Sequence, residues 1–157
     1  MRDRESFATS TEVRERMRRQ KRRDTAVELR LRSLLHGAGL RYRVHRRPLP
    51  ALRRAADIVF GPARVAVFVD GCFWHGCGCR STVRSTAANA QFWNDKIRRN
   101  RERDAETGCV LESQGWMVVR VWEHEDLSVA ATDIARLVAA RRVRSLRESQ
   151  RDPREGT

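Results

Sequence analysis

Residues Arg64 to Cys79 read RVAVFVDGCFWHGCGC. The apolar run Val65-Ala66-Val67-Phe68-Val69 ends at Asp70-Gly71. Cys72, Cys77 and Cys79, the adjacent aromatics Phe73-Trp74, and His75 follow at once. The apolar run predicts a buried strand. That strand delivers thiols, an imidazole, a carboxylate and two large aromatics to one small place. Packing has little use for such a mixture, whereas metal binding and catalysis at a strand end do.

The elements on either side predict a mixed sheet. Upstream, Ala56 to Phe60 reads as a short strand and Gly61-Pro62 as a turn, so the two strands form a hairpin. Arg41 to His45 alternates and reads as a further strand, joined to the hairpin by the Pro- and Arg-rich stretch Arg46 to Arg54. Thr25-Ala26-Val27-Glu28 is a capping-box pattern, and Val27, Leu31, Leu34 and Leu35 then share one helical face up to Gly37. Downstream, residues 70–88 read as a long irregular segment, a kind of loop that is usually functional. Asn89 to about Gly108 is helical, with a second helical piece to Gly115. Trp116 to Trp122 is a strand, and Ser128 to about Leu146 an amphipathic helix. The expected class is α/β, more closely an α+β mixed sheet flanked by helices.

The chain has 157 residues, enough for one domain with a real core. Residues 1–23 read as a basic arm, 24–148 as the folded domain and 149–157 as a polar tail. The formal net charge of +13 points to a polyanion, with nucleic acid favoured over an anionic membrane. No apolar stretch approaches the ~20 residues of a membrane span, and the N-terminus lacks the apolar core of a secretory signal. The expected location is the cytoplasm, where clustered cysteines are more often metal ligands than disulfides.

Cys72, Cys77 and Cys79 follow a C-x4-C-x-C spacing. A closed zinc site needs four sulfur or nitrogen ligands. His75, Cys109 and His124 are the candidates for the fourth. Asp57 and Asp70 bracket the hairpin, whose outer ends an antiparallel pairing brings together. Asp57 should therefore neighbour the Val69–Asp70 peptide, with His75 close by. A carboxylate, a backbone carbonyl and a histidine on a polyanion-binding surface suit metal-assisted phosphodiester hydrolysis, with Mg²⁺ at the phosphate and the imidazole activating water.

The strand VAVFVD before GCFWHGC-x-C, ADIVF upstream, FW-x2-KI-x2-N-x3-D (Phe92 to Asp104) and GW-x-V-x-RVWEHE (Gly115 to Glu125) resemble the very-short-patch-repair (Vsr) DNA mismatch endonucleases. The resemblance runs from about residue 11 to 140. It implies a restriction-endonuclease-like fold with a structural zinc site. It also implies Mg²⁺-dependent nicking of one strand of duplex DNA, 5′ to the thymine of a T:G mismatch left by deamination of 5-methylcytosine. By the same resemblance Asp57 binds Mg²⁺ through its side chain and Val69 through its carbonyl. His75 is the general base, and Glu28 is the helix acid near the site. Cys72, Cys77, Cys79 and His124 are the zinc ligands. Phe73 and Trp74 insert beside the mismatch, opposed by Met17 from the arm. Mismatch-repair proteins are the expected protein partners, and the enzyme is expected to act as a monomer.

Two departures matter. Asp70 stands where the family's best-known branch has a histidine, so it is a second metal ligand or orients His75. Ala56 replaces a proline before the metal carboxylate. Trp93, Trp116 and Trp122 read as core residues. Arg98, Arg99, Arg101 and Arg103 fit a solvated helix face as well as a phosphate-binding one, and His36 and His45 fit no pattern. Two other functions fit the chain: a non-catalytic zinc module that binds DNA, and a nuclease of the same fold with another DNA substrate.

Overall fold

A computed structural model describes residues 23–79 and 90–151, excluding the side chains of Phe73, Trp74, Ala90, Phe92 and 148–151. The basic arm, Met17 within it, and residues 80–89 lie outside the described part. Helix α1 (Ala26–Gly37) leads into β1 (Arg43–Arg46), β2 (Ala56–Phe60) and β3 (Val65–Asp70). A single helical turn, α2 (Cys72–His75), follows, then α3 (Ala90–Ser113), β4 (Met117–Trp122) and α4 (Leu127–Arg151).

The strands form one sheet in the order β1-β2-β3-β4. The first two pairings are antiparallel, while β3 and β4 run parallel in the register Val65↔Met117 to Asp70↔Trp122. A parallel pairing needs a crossover, and α3 supplies it. The mixed α/β sheet expected from the sequence is thus present. β2 and β3 are buried on both faces because helices cover both. Leu31 and Leu35 of α1 and Ile134 and Val138 of α4 pack with Ile58, Phe60, Val65, Val67 and Val121. On the other face Leu111 of α3 packs with Val59, Ala66 and Phe68.

The sequence reading and the fold differ in the helices. Gly108 was expected to divide two helical pieces, yet α3 runs unbroken from Ala90 to Ser113. An interior glycine costs about 1 kcal/mol. The full burial of Leu111, one turn later, anchors the helix against the sheet and outweighs it. Residues 72–75 were expected to be irregular but form α2, closed by Gly76 in the left-handed region at φ +62°. α4 continues past Leu146 to Arg151. Its Arg141 donates to the carbonyls of Ala63 (2.8 Å) and Gly115 (2.6 Å), tying the helix to the β2–β3 turn and the entry of β4. No helix among the described residues is long and apolar enough to cross a membrane.

Candidate active site and metal centre

The thiols, the imidazole and the carboxylate of the opening stretch gather at the C-terminal end of β3. The β2–β3 pairing runs from Phe60↔Val65 to Ile58↔Val67. One residue further along β2, the Asp57 carboxylate accepts the Val69 amide at 2.7 Å. This is the juxtaposition that the hairpin predicted. Burial pushes the Asp57 carboxyl up to about 6, with the charges of Glu28 and Asp70 adding to it and the Val69 amide and His45 opposing. Such a carboxylate is short of positive charge, and its setting fits a divalent cation.

The raised value carries a stability cost. A carboxyl whose native pKa lies above its unfolded value stabilises the fold only while protonated, and the protein loses stability as pH rises through about 6. Asp57→Asn is therefore expected to stabilise the protein by about 1–3 kcal/mol at neutral pH and above. Thermal melts without added divalent cation should show the gain near pH 8, and it should vanish below about pH 4, where both states are protonated. Equal melting temperatures at pH 8 would dismiss the idea.

Asp70, at the end of β3, is buried and receives Arg120 of β4 at 2.5 Å. The His75 Nδ1 lies 3.7 Å from Asp70 and 2.5 Å from Asp104 of α3. Burial alone would pull the imidazole down. The hydrogen bond to Asp104 and the two carboxylate charges outweigh it, so His75 titrates above the ordinary histidine value. Burial likewise raises Asp104, but the His75 hydrogen bond and the Arg120 and Arg54 charges hold its carboxyl below the usual range. With Nδ1 committed to Asp104, Nε2 is the ring nitrogen left for chemistry.

Asp104 and Arg120 had been given no role from sequence. The signal was there, since both fall inside the motifs FW-x2-KI-x2-N-x3-D and GW-x-V-x-RVWEHE. Arg120 spans Asp70 and the Asp104 carboxylate (3.6 Å) and carbonyl (3.3 Å) while its guanidinium lies over Phe68. It is the counter-charge that lets two acids share one small space.

Glu28 begins α1 as the capping box predicted. Its amide donates to the Thr25 hydroxyl at 3.3 Å, and its carboxylate accepts from that hydroxyl, from the Asp24 amide and from Arg32. It is buried, and its charge acts on Asp57.

A second cluster joins Cys72, Cys77, Cys79 and His124, whose ligand atoms all lie within 4.8 Å of one another. The Cys72 sulfur is 2.9 Å from His124 Nδ1. The Cys72 backbone amide donates to Glu123 at 3.0 Å, so the strand end holds α2 from two sides. Burial, followed by the Cys77 and Cys79 sulfurs, pushes the Cys72 thiol far above its ordinary value. Three crowded thiols beside an imidazole ionise together only around a cation. The donor set of three sulfurs and one nitrogen fits a tetrahedral metal.

Two further residues differ from their sequence reading. Trp122 is not simply core: its ring meets His75 edge-on and stacks with His124, both at 6.5 Å, and so bridges the two clusters. Arg101 donates to the Gly76 carbonyl at 2.8 Å, inside the protein's own framework. A Cβ at Gly76 would stand 2.6 Å from Ile97 of α3, so α2 and α3 meet closely there. Arg98 does lie on a solvated face, paired with Asp95 and Glu102. Phe73 and Trp74 stand in α2 by their backbone.

Comparison with known proteins identifies the family. Residues 6–81 match the family model described as DNA mismatch endonuclease Vsr. The chain is 41% identical over 109 residues to the type II nicking enzyme V.XorIIP of Xanthomonas oryzae, covering 69% of this chain and 77% of that one. It is 42% identical over 120 residues to the type II nicking enzyme V.NaeI of Lentzea aerocolonigenes, covering 75% and 71%. With the DNA mismatch endonuclease Vsr of Escherichia coli it shares 43% over 101 residues, 64% of this chain and 62% of the other. This chain belongs to the Vsr family of DNA mismatch endonucleases.

Proposed function

We propose that the protein is a Mg²⁺-dependent endonuclease that nicks one strand of duplex DNA 5′ to the thymine of a T:G mismatch and so begins repair of deaminated 5-methylcytosine. The observation that carries the reading is the Asp57 carboxylate on the Val69 amide, set beside the Asp70–His75–Asp104 cluster at one strand end. The relatives' names, nicking enzymes and a mismatch endonuclease, supply the substrate class. The mixed sheet suits a restriction-endonuclease-like domain over residues 24–148.

Asp57 and the Val69 carbonyl would hold Mg²⁺. When bound, the ion supplies positive charge to the scissile phosphate and its developing oxyanion. His75 accepts a proton from the attacking water through Nε2. Asp104 fixes the ring through Nδ1 and stabilises the imidazolium that forms. Asp70 orients His75 and, through Arg120, ties the base to β4. Glu28 adds negative potential beside Asp57, which favours the cation. Cys72, Cys77, Cys79 and His124 would bind Zn²⁺ as a structural ion that fixes α2. Phe73 and Trp74 on that turn enter the base stack, opposed by Met17. A T:G wobble step should open more easily than a matched one, and the gap of a few kcal/mol becomes selectivity only if the wedge is held rigidly. The protein works in the cytoplasm as a monomer, with mismatch-repair proteins as its partners.

The test is a nicking assay with Mg²⁺ on strand-labelled duplexes, T:G against matched. Cleavage of the T strand alone, 5′ to the mismatched T, is expected. Phe73→Ala with Trp74→Ala should reduce nicking and binding of T:G DNA but leave matched-DNA affinity and its salt slope unchanged. Zinc content with no cleavage at all would favour the DNA-binding module. Equal cleavage of both duplexes would favour a nuclease with another substrate.

A further inference from the structure

We infer that His45 is the residue that positions the metal-binding carboxylate of Asp57, and that Arg32 and Asp24 at the head of α1 anchor its ring for that task. The inference rests on the reading of Asp57 as a Mg²⁺ ligand. His45 fitted no sequence pattern, and the roles set out above leave it unused.

Three observations converge on it. The β1–β2 register, Val44↔Ile58 and Arg46↔Ala56, sets His45 opposite Asp57. Residues directly opposite on neighbouring strands are the closest side-chain neighbours a sheet offers. The His45 Nδ1 lies 4.0 Å from Asp57 Oδ1, while the other carboxylate oxygen takes the Val69 amide. The Asp57 group is thus approached on both oxygens.

The second observation is the anchoring of the ring. Arg32 Nη2 and Asp24 Oδ1 both meet His45 Nε2, at 3.0 Å and 3.2 Å. The ring is held through Nε2 from the α1 side, which leaves Nδ1 as the nitrogen that faces Asp57. Arg32 is held in turn by Asp24 at 2.6 Å and Glu28 at 3.0 Å, all at the first turns of α1. Asp24, Glu28 and His45 present ligand atoms within 4.8 Å of one another, but the Arg32 guanidinium already supplies the cation among them. The group is a support and not a second metal site.

The third is backbone strain. His45 has φ +48° within a strand, a left-handed conformation that a side chain with a Cβ adopts at a cost. Such strain persists where the surroundings over-determine it, typically at functional sites. Here the twist turns the imidazole toward Asp57 and Arg32. Partners that orient a metal ligand typically govern metal affinity by 10- to 100-fold (roughly) when removed.

The test reads metal binding directly, with Mn²⁺ as probe, by electron paramagnetic resonance on zinc-loaded protein free of DNA. His45→Ala should raise the Mn²⁺ dissociation constant ~10-fold. His45→Asn should restore it to within about threefold, because the Asn amide stands where Nδ1 stood and Asn tolerates a positive φ. Nicking assays should agree: the half-saturating Mg²⁺ concentration rises in the alanine variant, while the rate at saturating Mg²⁺ changes little. A merely structural residue would lower the active fraction at every Mg²⁺ concentration alike. Should the alanine variant not fold, His45→Gln, whose amide extends toward Arg32, should show the same weakening. Normal Mn²⁺ affinity in a folded Ala or Gln variant, beside lost affinity in Asp57→Ala, overturns the role of His45 alone. Normal affinity in Asp57→Ala overturns the metal reading of Asp57 and this inference with it.

Discussion

Asp57→Ala is expected to abolish nicking, by about 10³-fold or more, while mismatched DNA still binds. The magnitude follows from the several kcal/mol that a bound cation contributes to phosphoryl chemistry. Binding survives because the substitution removes a negative charge from a surface that meets a polyanion, so affinity holds or rises slightly. His75→Ala should slow the single-turnover rate by ~10², as expected for a lost general base. Single-turnover rates with excess enzyme, paired with equilibrium binding, separate the two effects. Wild-type rates in both variants would place the chemistry elsewhere on the protein. A loss of binding equal to the loss of rate would make Asp57 a DNA contact or a folding residue.

The second large effect concerns the sulfur cluster. Cys72 is fully buried and touches both the loop thiols and His124 of the distant strand end. Cys72→Ser is expected to release zinc and lower the melting temperature by roughly 10 °C, the equivalent of about 3 kcal/mol for a chain of this size. His124→Ala should do the same from the other side of the sheet. Activity should fall further than stability at working temperature, because the turn bearing His75 loses its anchor. Elemental analysis beside calorimetry decides the point. Zinc-free wild-type protein that melts at the same temperature as both variants would remove the structural role.

How much could be read from the residues depended on sequence distance. The β2–β3 hairpin was legible because its two strands and its Gly-Pro turn are contiguous, and the contact between Asp57 and Val69 followed from it. The three clustered cysteines were legible for the same reason. His75 was recognised, but its partner Asp104 was not, because Asp104 sits on a helix whose orientation the sequence does not give. Only the packing of α3 across the sheet makes that pair. His45 escaped for a subtler reason: its face is set by the register of β1 against β2 and by a positive φ that no local pattern announces. Gly108 misled because local propensity argued for a break while the burial of Leu111, a tertiary fact, kept the helix whole. Trp122 was read as core because tryptophan usually is.

The parallel pairing of β3 with β4 has a consequence in time. The β1–β2–β3 meander joins strands that are neighbours in sequence and can close early, whereas β4 reaches β3 only after the chain has passed through α3. Asp57 and Val69 belong to the early part. Asp104, Arg120 and His124 arrive with the late one. A chain with only the meander closed would hold Asp57 beside Val69 but lack both the His75–Asp104 pair and the complete sulfur–nitrogen cluster. Its arginines can already attract DNA, yet the cutting machinery is not assembled. The groups proposed to cut DNA would thus come together only when β4 docks on β3.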